Sequence, residues 1–182
     1  MEERSKTLTN SCSFANMKPA MVDLPYPPIR VKEKNCSFAN LLSMDYCGSV
    51  SEMSAITQYI NNENRMSAEK CSLARTILGI AVAEMLHLQM LGELIYLLGG
   101  EIDFTARQQD GNQRLWTPAY LTIPGNIRKM LCADIESEKG AIRQYEMHIR
   151  MIEDAHVNAV LERIIKDEEY HILMLEALLE EV

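Results

Sequence analysis

Two helical segments of this 182-residue chain each carry a carboxylate within an apolar face. In residues 77–98, apolar side chains recur at steps of three and four, which is the spacing of one face of an α-helix. Glu84 takes one of these positions, and His87 follows one turn later. Near the C-terminus, Glu168 and His171 repeat the Glu-x-x-His spacing. Because a buried, unpaired charge is costly, the fold must bring positive charge to these acids.

Two further glutamates lie at the same kind of position, and an internal repeat relates them. The string Glu-x-x-Ala-Ile-x-Gln-Tyr occurs from Glu52 to Tyr59 and again from Glu138 to Tyr145. Glu138 itself lies on an apolar stripe. Each half of the chain therefore contains one single glutamate followed by one Glu-x-x-His pair. A bundle of these helices is expected to bring the four glutamates to one level.

Proline positions divide the chain into a leader and two proline-free blocks. Residues 1–41 are predicted to form an extended leader, which contains both copies of a repeated Cys-Ser-Phe-Ala-Asn string, at residues 12–16 and 36–40. No role is assigned to this repeat, except that Phe14 or Phe38 is expected to pack on the bundle.

Each proline-free block is predicted to contain two helices. Residues 42–98 divide near 61–67, where Ser67 is expected to cap the second helix, and the remaining block divides near 153–155. The long connection between the blocks carries turn residues such as Asp110-Gly111. Short, long and short connections predict an all-α, ferritin-like four-helix bundle over residues 42–182, with a long crossover between helices 2 and 3.

The composition of the chain excludes some classes of binding partner and indicates a cellular compartment. The formal net charge of −8, without a basic run, argues against nucleic acid and anionic membranes as partners. The apolar stretch ending at Leu98 contains Glu84, His87 and Glu93, which disfavours a membrane span. No secretory signal is recognised at the N-terminus, so a cytoplasmic location is expected. The five cysteines form no Cys-x-x-Cys pair and are expected to be reduced thiols, with Cys47 and Cys132 as small buried side chains.

Charge balance predicts two divalent metal ions in the core. Four glutamates contribute −4, two divalent ions contribute +4, and two neutral imidazoles complete the ligand set. A single glutamate on each of two helices and a Glu-x-x-His pair on each of the others is the known pattern of di-iron and di-manganese bundles. By contrast, six side chains off these stripes are expected at the surface or in loops: Glu63, Glu93, Glu136, Glu169, His148 and His156.

These motifs resemble the ferritin-like di-metal carboxylate superfamily, near rubrerythrin, bacterioferritin-type and manganese-catalase-like proteins. Asp167-Glu168-Glu169-Tyr170-His171 is similar to the Asp-Glu-x-x-His motif of those families. The resemblance implies that Glu84 and Glu168 bridge the metals, that Glu52 and Glu138 are terminal ligands, and that His87 and His171 each bind one metal.

The residues around the ligands suggest supporting contacts. Asp167 is expected to accept the free ring N–H of His87. Ala83 takes the equivalent position before Glu84, so His171 is expected to lack such a partner. Tyr59 and Tyr145 are expected to hydrogen-bond to carboxylates or to supply an oxidisable phenol.

The leading functional hypothesis is a di-metal oxidoreductase that acts on hydrogen peroxide or dioxygen. Iron is favoured over manganese as the cofactor; the iron form would need an external electron donor protein, whereas a manganese form would dismutate peroxide alone. Two alternatives stay open: a ferroxidase or iron-handling protein, and a structural spore or shell component with a residual metal site. Apolar residues such as Leu86, Met90 and Leu97 suggest a homodimer.

Overall fold

Helices dominate the computed structural model, which describes Cys12 and residues 17–108 and 111–182. The described elements, in chain order, are α1 (Cys36–Cys47), α2 (Glu52–Met66), α3 (Cys71–Leu97), β1 (Thr105–Arg107), β2 (Gln113–Leu115), the short 3-10 helix Pro118–Tyr120, α4 (Ile127–Met151) and α5 (Ala155–Glu180).

The four long helices α2 to α5 form the predicted bundle. Short loops join α2 to α3 and α4 to α5, so each pair is an antiparallel hairpin. A long crossover joins the two hairpins and contains the antiparallel pair β1–β2, in which Ala106 lies opposite Arg114. This small hairpin was not predicted, and Asp110 of the predicted turn lies outside the described residues. The four-helix architecture and its long central connection are confirmed.

The first predicted helix is two helices in the structure. The chain leaves α1 at Gly48, where a Cβ atom would lie 2.5 Å from the carbonyl oxygen of Met44, so only glycine fits. Ser51 then caps α2, because its Oγ accepts a hydrogen bond from the backbone N–H of Ser54. Helix α1 begins at Cys36, so the predicted boundary between residues 41 and 42 falls inside a helix.

Two further predictions, the cap at Ser67 and the packing of Phe38, can be compared with the structure. Ser67 lies at the C-terminal end of α2, whereas Lys70 precedes α3, so the prediction that Ser67 caps the second bundle helix was wrong. In α1, Phe38 of the second Cys-Ser-Phe-Ala-Asn string packs against a buried cluster, as expected. Phe14 lies outside the described residues.

A polar layer separates two apolar clusters in the bundle. One cluster contains Leu91, Ile164 and Tyr145, and the other contains Ile77 and Leu175. Along each of α3, α4 and α5, a glutamate of the predicted metal site lies between these clusters. Carboxylates are thus held where water has little access.

Helix α3 is long and apolar enough to cross a membrane by length and composition. Half of its most apolar window is buried in the bundle, and the fully enclosed Glu84 and His87 lie on its core face. We therefore interpret α3 as the core helix of the bundle, in agreement with the sequence-based argument.

The cysteines differ from the prediction. Cys12 and Cys71 form a disulfide, although all five cysteines were expected to be reduced. Cys47 is buried as predicted, but Cys132 is exposed. Cysteine spacing could not reveal the disulfide, because its partners are 59 residues apart and meet only where the leader returns to the first residue of α3.

Candidate metal centre

Six side chains predicted as metal ligands converge in the polar layer, and each is at most 3% exposed. They form two overlapping groups, within each of which the potential ligand atoms lie within 4.8 Å of one another. One group is Glu52, Glu84, His87 and Glu168, and the other is Glu84, Glu138, Glu168 and His171. Glu84 and Glu168 belong to both groups, which is the placement that bridging carboxylates require.

Both histidines direct the same ring nitrogen towards the glutamates. Nδ1 of His87 lies 2.8 Å from Oε2 of Glu84 and 3.4 Å from Oε1 of Glu168. Nδ1 of His171 lies 3.0 Å from Oε2 of Glu168 and 3.1 Å from Oε1 of Glu84. The Glu-x-x-His spacing produces this geometry, because residues three apart lie on one face of a helix. Nδ1 is therefore the candidate ligand atom of each ring.

The other ring nitrogen of each histidine has a partner outside the cluster. Nε2 of His87 lies 3.2 Å from Oδ2 of Asp167, as predicted, and 3.1 Å from the hydroxyl of Tyr26. Nε2 of His171 lies 2.8 Å from the backbone carbonyl oxygen of Ala20, so the expectation that His171 lacks an outer partner was wrong: a backbone group takes the role of the missing carboxylate. Tyr26 and Ala20 were not predicted as partners, because residues of the leader carry no spacing signal that relates them to the helices.

Two tyrosines link the halves of the repeat. The hydroxyl of Tyr59 donates a hydrogen bond to Oε1 of Glu138, and the hydroxyl of Tyr145 donates one to Oε1 of Glu52. Each tyrosine thus contacts the single glutamate of the opposite half, which confirms the expected carboxylate contacts. These bonds hold Glu52 and Glu138 in place from outside the cluster.

The mutual proximity of these groups changes their protonation. Burial, reinforced by the neighbouring charge of Glu84, raises the pKa values of Glu52 and Glu138 well above their usual range. Burial acts to lower the pKa values of His87 and His171, but the surrounding carboxylates outweigh it and raise both well above normal. Burial also opposes ionisation of Glu84, yet the two histidines lower its pKa. Without metal, protons therefore supply the positive charge of the cluster.

The residues present fit a pair of divalent ions. Oε1 of Glu84 is buried and receives no hydrogen bond from the part of the chain that is described, although Nδ1 of His171 is near it. Four carboxylates and two imidazoles are donors that suit iron and manganese. A cavity of about 10 Å³, enough for roughly one water-sized molecule, reaches the four glutamates. Small side chains line it where α2 faces α4, namely Ser51, Ala55, Ser137 and Ala141.

The surface assignments were correct for four of the six side chains outside the site: Glu93, Glu136, Glu169 and His156 are exposed. Two assignments were wrong. Glu63 is buried and paired with Arg75, and His148 is buried with Nδ1 2.7 Å from Oδ2 of Asp45. Their spacing carried a signal that was missed, because Glu63 lies four residues after Tyr59 and His148 three after Tyr145, on the same buried faces.

Asp134 is a further buried carboxylate, one turn before Glu138 on α4. Both of its oxygens accept hydrogen bonds from Nδ2 of Asn62 at 2.9 Å. Burial raises its pKa from 3.8 to about 7. In the unfolded chain Asp134 ionises near pH 3.8, so its contribution to stability is complete below that pH and is lost as the pH rises towards 7.

The Asp134→Asn variant removes this pH-dependent cost. Relative to the native chain, the metal-free variant should gain about 3 kcal/mol more unfolding free energy at pH 8 than at pH 5, since the native carboxyl pays for about two pKa units over this range at about 1.4 kcal/mol each. Urea unfolding of both proteins in the presence of a chelator measures the difference. An identical difference at the two pH values would show that Asp134 titrates normally.

Comparisons with known proteins find that the chain is similar to manganese catalases and to bacterioferritin. The chain is 26% identical to a probable manganese catalase of Clostridium acetobutylicum over 160 residues, which are 79% of this chain and 70% of that protein. A manganese catalase from Anabaena PCC7120 superposes with a TM-score of 0.77 at 26% identity, covering 87% of this chain and 78% of that one. Bacterioferritin from Mycobacterium tuberculosis gives a TM-score of 0.66 at 26% identity, covering 81% and 87%.

The family match includes the whole candidate centre. The Ferritin-like domain family matches residues 50–182, a range that contains all six candidate ligands and both tyrosines. The relatives, the bundle and the carboxylate–histidine cluster agree with one another. The chain therefore belongs to the ferritin-like domain family, as a di-metal member of it.

Proposed function

We propose that this protein dismutates hydrogen peroxide to water and dioxygen at a pair of manganese ions. The observation that carries the proposal is the pair of overlapping ligand groups that share Glu84 and Glu168. Iron was the metal favoured from the sequence, and the ligand chemistry accommodates both metals. The manganese catalases among the relatives, at 26% identity, support manganese over iron.

Each of the two metal ions would be bound by its own ligands and by two shared glutamates. Glu84 and Glu168 would bridge the two ions, Glu52 and His87 would complete one site, and Glu138 and His171 would complete the other. When bound, a manganese pair supplies two-electron redox chemistry, which lets peroxide act alternately as oxidant and reductant. The buried glutamates are the groups near the ions that can accept and return the protons of peroxide.

The approach to the centre favours a very small substrate. The cavity that reaches the glutamates is lined by Ala55 and Ala141, and its volume of about 10 Å³ leaves no room for an organic molecule. The hydroxyls of Tyr145 and Tyr59 donate hydrogen bonds to Glu52 and Glu138, and both tyrosine side chains are buried. Water is thereby largely excluded, which strengthens electrostatic contacts at the centre.

Oxygen evolution tests this proposal. We expect the manganese-loaded protein to release one O₂ for every two H₂O₂ consumed, without a reductant, and far faster than the same concentration of free Mn²⁺. The iron-loaded protein is the matched comparison. A manganese form no faster than free ions would contradict the proposal, and an iron form that consumes peroxide only with an added electron donor would instead indicate a peroxidase.

A second candidate is oxidation of ferrous iron for storage, which the structural similarity to bacterioferritin favours. It predicts that each chain oxidises many Fe²⁺ ions within a large assembly. Size-exclusion chromatography combined with iron titration separates the two candidates, because the catalase proposal predicts saturation at two metal ions per chain. The homodimer, the external electron donor and the cytoplasmic location stay predictions.

A further inference from the structure

The N-terminal strap, which we define as residues 17–27, contacts both histidines of the candidate centre. The carbonyl oxygen of Ala20 lies 2.8 Å from Nε2 of His171. The hydroxyl of Tyr26 lies 3.1 Å from Nε2 of His87 and donates a hydrogen bond to Oδ2 of Asp167. One short segment outside the four-helix bundle thus reaches the outer side of both rings.

These contacts determine which ring nitrogen is free to bind metal. A carbonyl oxygen only accepts hydrogen bonds, so Ala20 keeps a proton on Nε2 of His171 and leaves the lone pair of Nδ1 towards the glutamates. Asp167 does the same for His87. Asp167 is held as an acceptor by its other contacts, since it also accepts hydrogen bonds from the hydroxyl of Tyr26 and from the backbone N–H of Val22 and pairs with Arg163 at 2.8 Å.

The strap is attached to α3 and α5 by further contacts. The backbone N–H of Ala20 donates to the carbonyl of Gly79 at 2.9 Å. A Cβ atom at Gly79 would lie 3.2 Å from the carbonyl oxygen of Lys18, so the strap lies directly on the helix there. The guanidinium of Arg163 donates to the carbonyl oxygen of Val22 at 3.0 Å and lies 4.1 Å from the centre of the Tyr26 ring.

The Cys12–Cys71 disulfide joins the chain just before the strap to the first residue of α3. Cys71 lies about two helical turns before Gly79, on the same helix that carries His87. The bond therefore restricts how far the strap can move from the bundle. Its opening would leave the N-terminal end of the strap held to the bundle only by non-covalent contacts.

We propose that the strap positions the two histidines for metal binding, and that oxidation of Cys12 and Cys71 strengthens this positioning. The proposal rests on the proposed metal centre. Peroxide, the proposed substrate, can supply the oxidant: two thiols and one H₂O₂ give the disulfide and two water molecules, as the O–O bond breaks and the S–S bond forms. A dithiol reductant reverses the step by taking over the disulfide while Cys12 and Cys71 each regain a proton.

Manganese affinity provides the first test. We expect the oxidised protein to bind Mn²⁺ about tenfold more tightly than the same protein after dithiol reduction, because outer partners of metal-bound histidines contribute 10- to 100-fold to affinity. A Cys12→Ser/Cys71→Ser double variant should match the reduced protein and should no longer respond to reductant. Cys132→Ser, which changes an exposed free cysteine, should retain the full response. Equal affinity of the oxidised and reduced forms would overturn the proposal.

The second test moves the strap without changing a cysteine. Gly79→Ala introduces the Cβ that crowds Lys18, and Tyr26→Phe removes the hydroxyl near His87; both should weaken Mn²⁺ binding several-fold. Gly92→Ala is the matched control on α3, because its Cβ would make only an ordinary 3.4 Å contact with Tyr46. If Gly79→Ala and Tyr26→Phe both bind Mn²⁺ like Gly92→Ala, the strap has no positioning role.

Hydrogen exchange of the metal-free protein separates the two proposals. On reduction, the amides of Ala20 and Val22 should exchange at least tenfold faster, while the core amides of α3 and α5 keep their protection. Unchanged exchange at these amides would overturn the strap proposal whatever the metal results. If the oxidised protein binds no Mn²⁺ at all, the proposed function fails, and the exchange result still decides whether the disulfide restrains the strap.

Discussion

Replacing Glu168 with glutamine is expected to abolish binding of the metal pair, with a loss of at least ~100-fold in Mn²⁺ affinity. Glu168 is one of the two residues that belong to both ligand groups. Glutamine keeps the size of the side chain but removes one of the four negative charges that would balance two divalent ions. Since the site is almost completely buried, no water compensates for the missing charge. The metal-to-chain ratio after dialysis measures the effect directly.

The neighbouring residue supplies the control. Glu169→Gln makes the same chemical change one residue further along α5, on an exposed side chain, and should retain two ions per chain. Glu138→Ala removes a residue of one group only and should halve or abolish loading while the helices stay folded. Retention of two tightly bound ions by Glu168→Gln would show that the centre lies elsewhere.

Metal loading of this centre is expected to release up to four protons for each pair of ions. In the metal-free protein the pKa values of Glu52, Glu138, His87 and His171 are all raised well above their usual ranges, so each group binds its proton more tightly than in the unfolded chain. Those four protons carry the same positive charge as two divalent ions. Metal ligation requires their removal from the carboxylates and from Nδ1 of each ring. Binding is therefore an exchange of protons for metal at nearly constant charge.

The affinity of the centre for metal should therefore depend steeply on pH and should increase as the pH rises. Between about pH 5 and pH 7, a lower pH favours the protonated, metal-free cluster, and the overall binding constant for two ions should fall by up to ~10⁴-fold for each pH unit. Titration calorimetry in buffers of different ionisation enthalpy measures the number of protons released. Asp134→Asn, which lies outside both ligand groups, should leave that number unchanged. Release of fewer than two protons would show that the cluster is already ionised without metal.

The metal centre was predictable because glutamates occupy positions on helix faces that are otherwise apolar. Glu84, Glu138 and Glu168 lie on apolar stripes, and a side chain on such a stripe points into the core whatever the rest of the fold does. That Tyr59 and Tyr145 contact carboxylates followed from the internal repeat, which places each one two turns beyond a glutamate on the same face, whereas the tertiary structure decided that each contacts the glutamate of the opposite half. Local periodicity was sufficient for these residues.

Local periodicity was not sufficient where the chain departs from helix. The break at Gly48 depends on how closely the following chain approaches the last turn of α1. The contacts of Ala20 and Tyr26 with the histidines, and the pairing of Cys12 with Cys71, join an extended segment to distant helices. An extended leader has no period that relates it to a partner, so its path depends on tertiary packing.

The sequence by itself therefore determined the inner part of the centre: four helices, six candidate ligands and a charge balance that calls for two divalent ions. Side chains on a helix have a direction that is set by their spacing, and that direction was enough to bring the glutamates together. The tertiary structure alone decided the outer part, namely which groups hold the far side of His87 and His171. No residue pattern predicts the contact of the Ala20 carbonyl with His171 or the disulfide between Cys12 and Cys71. Both arise only where the folded leader crosses α3 and α5.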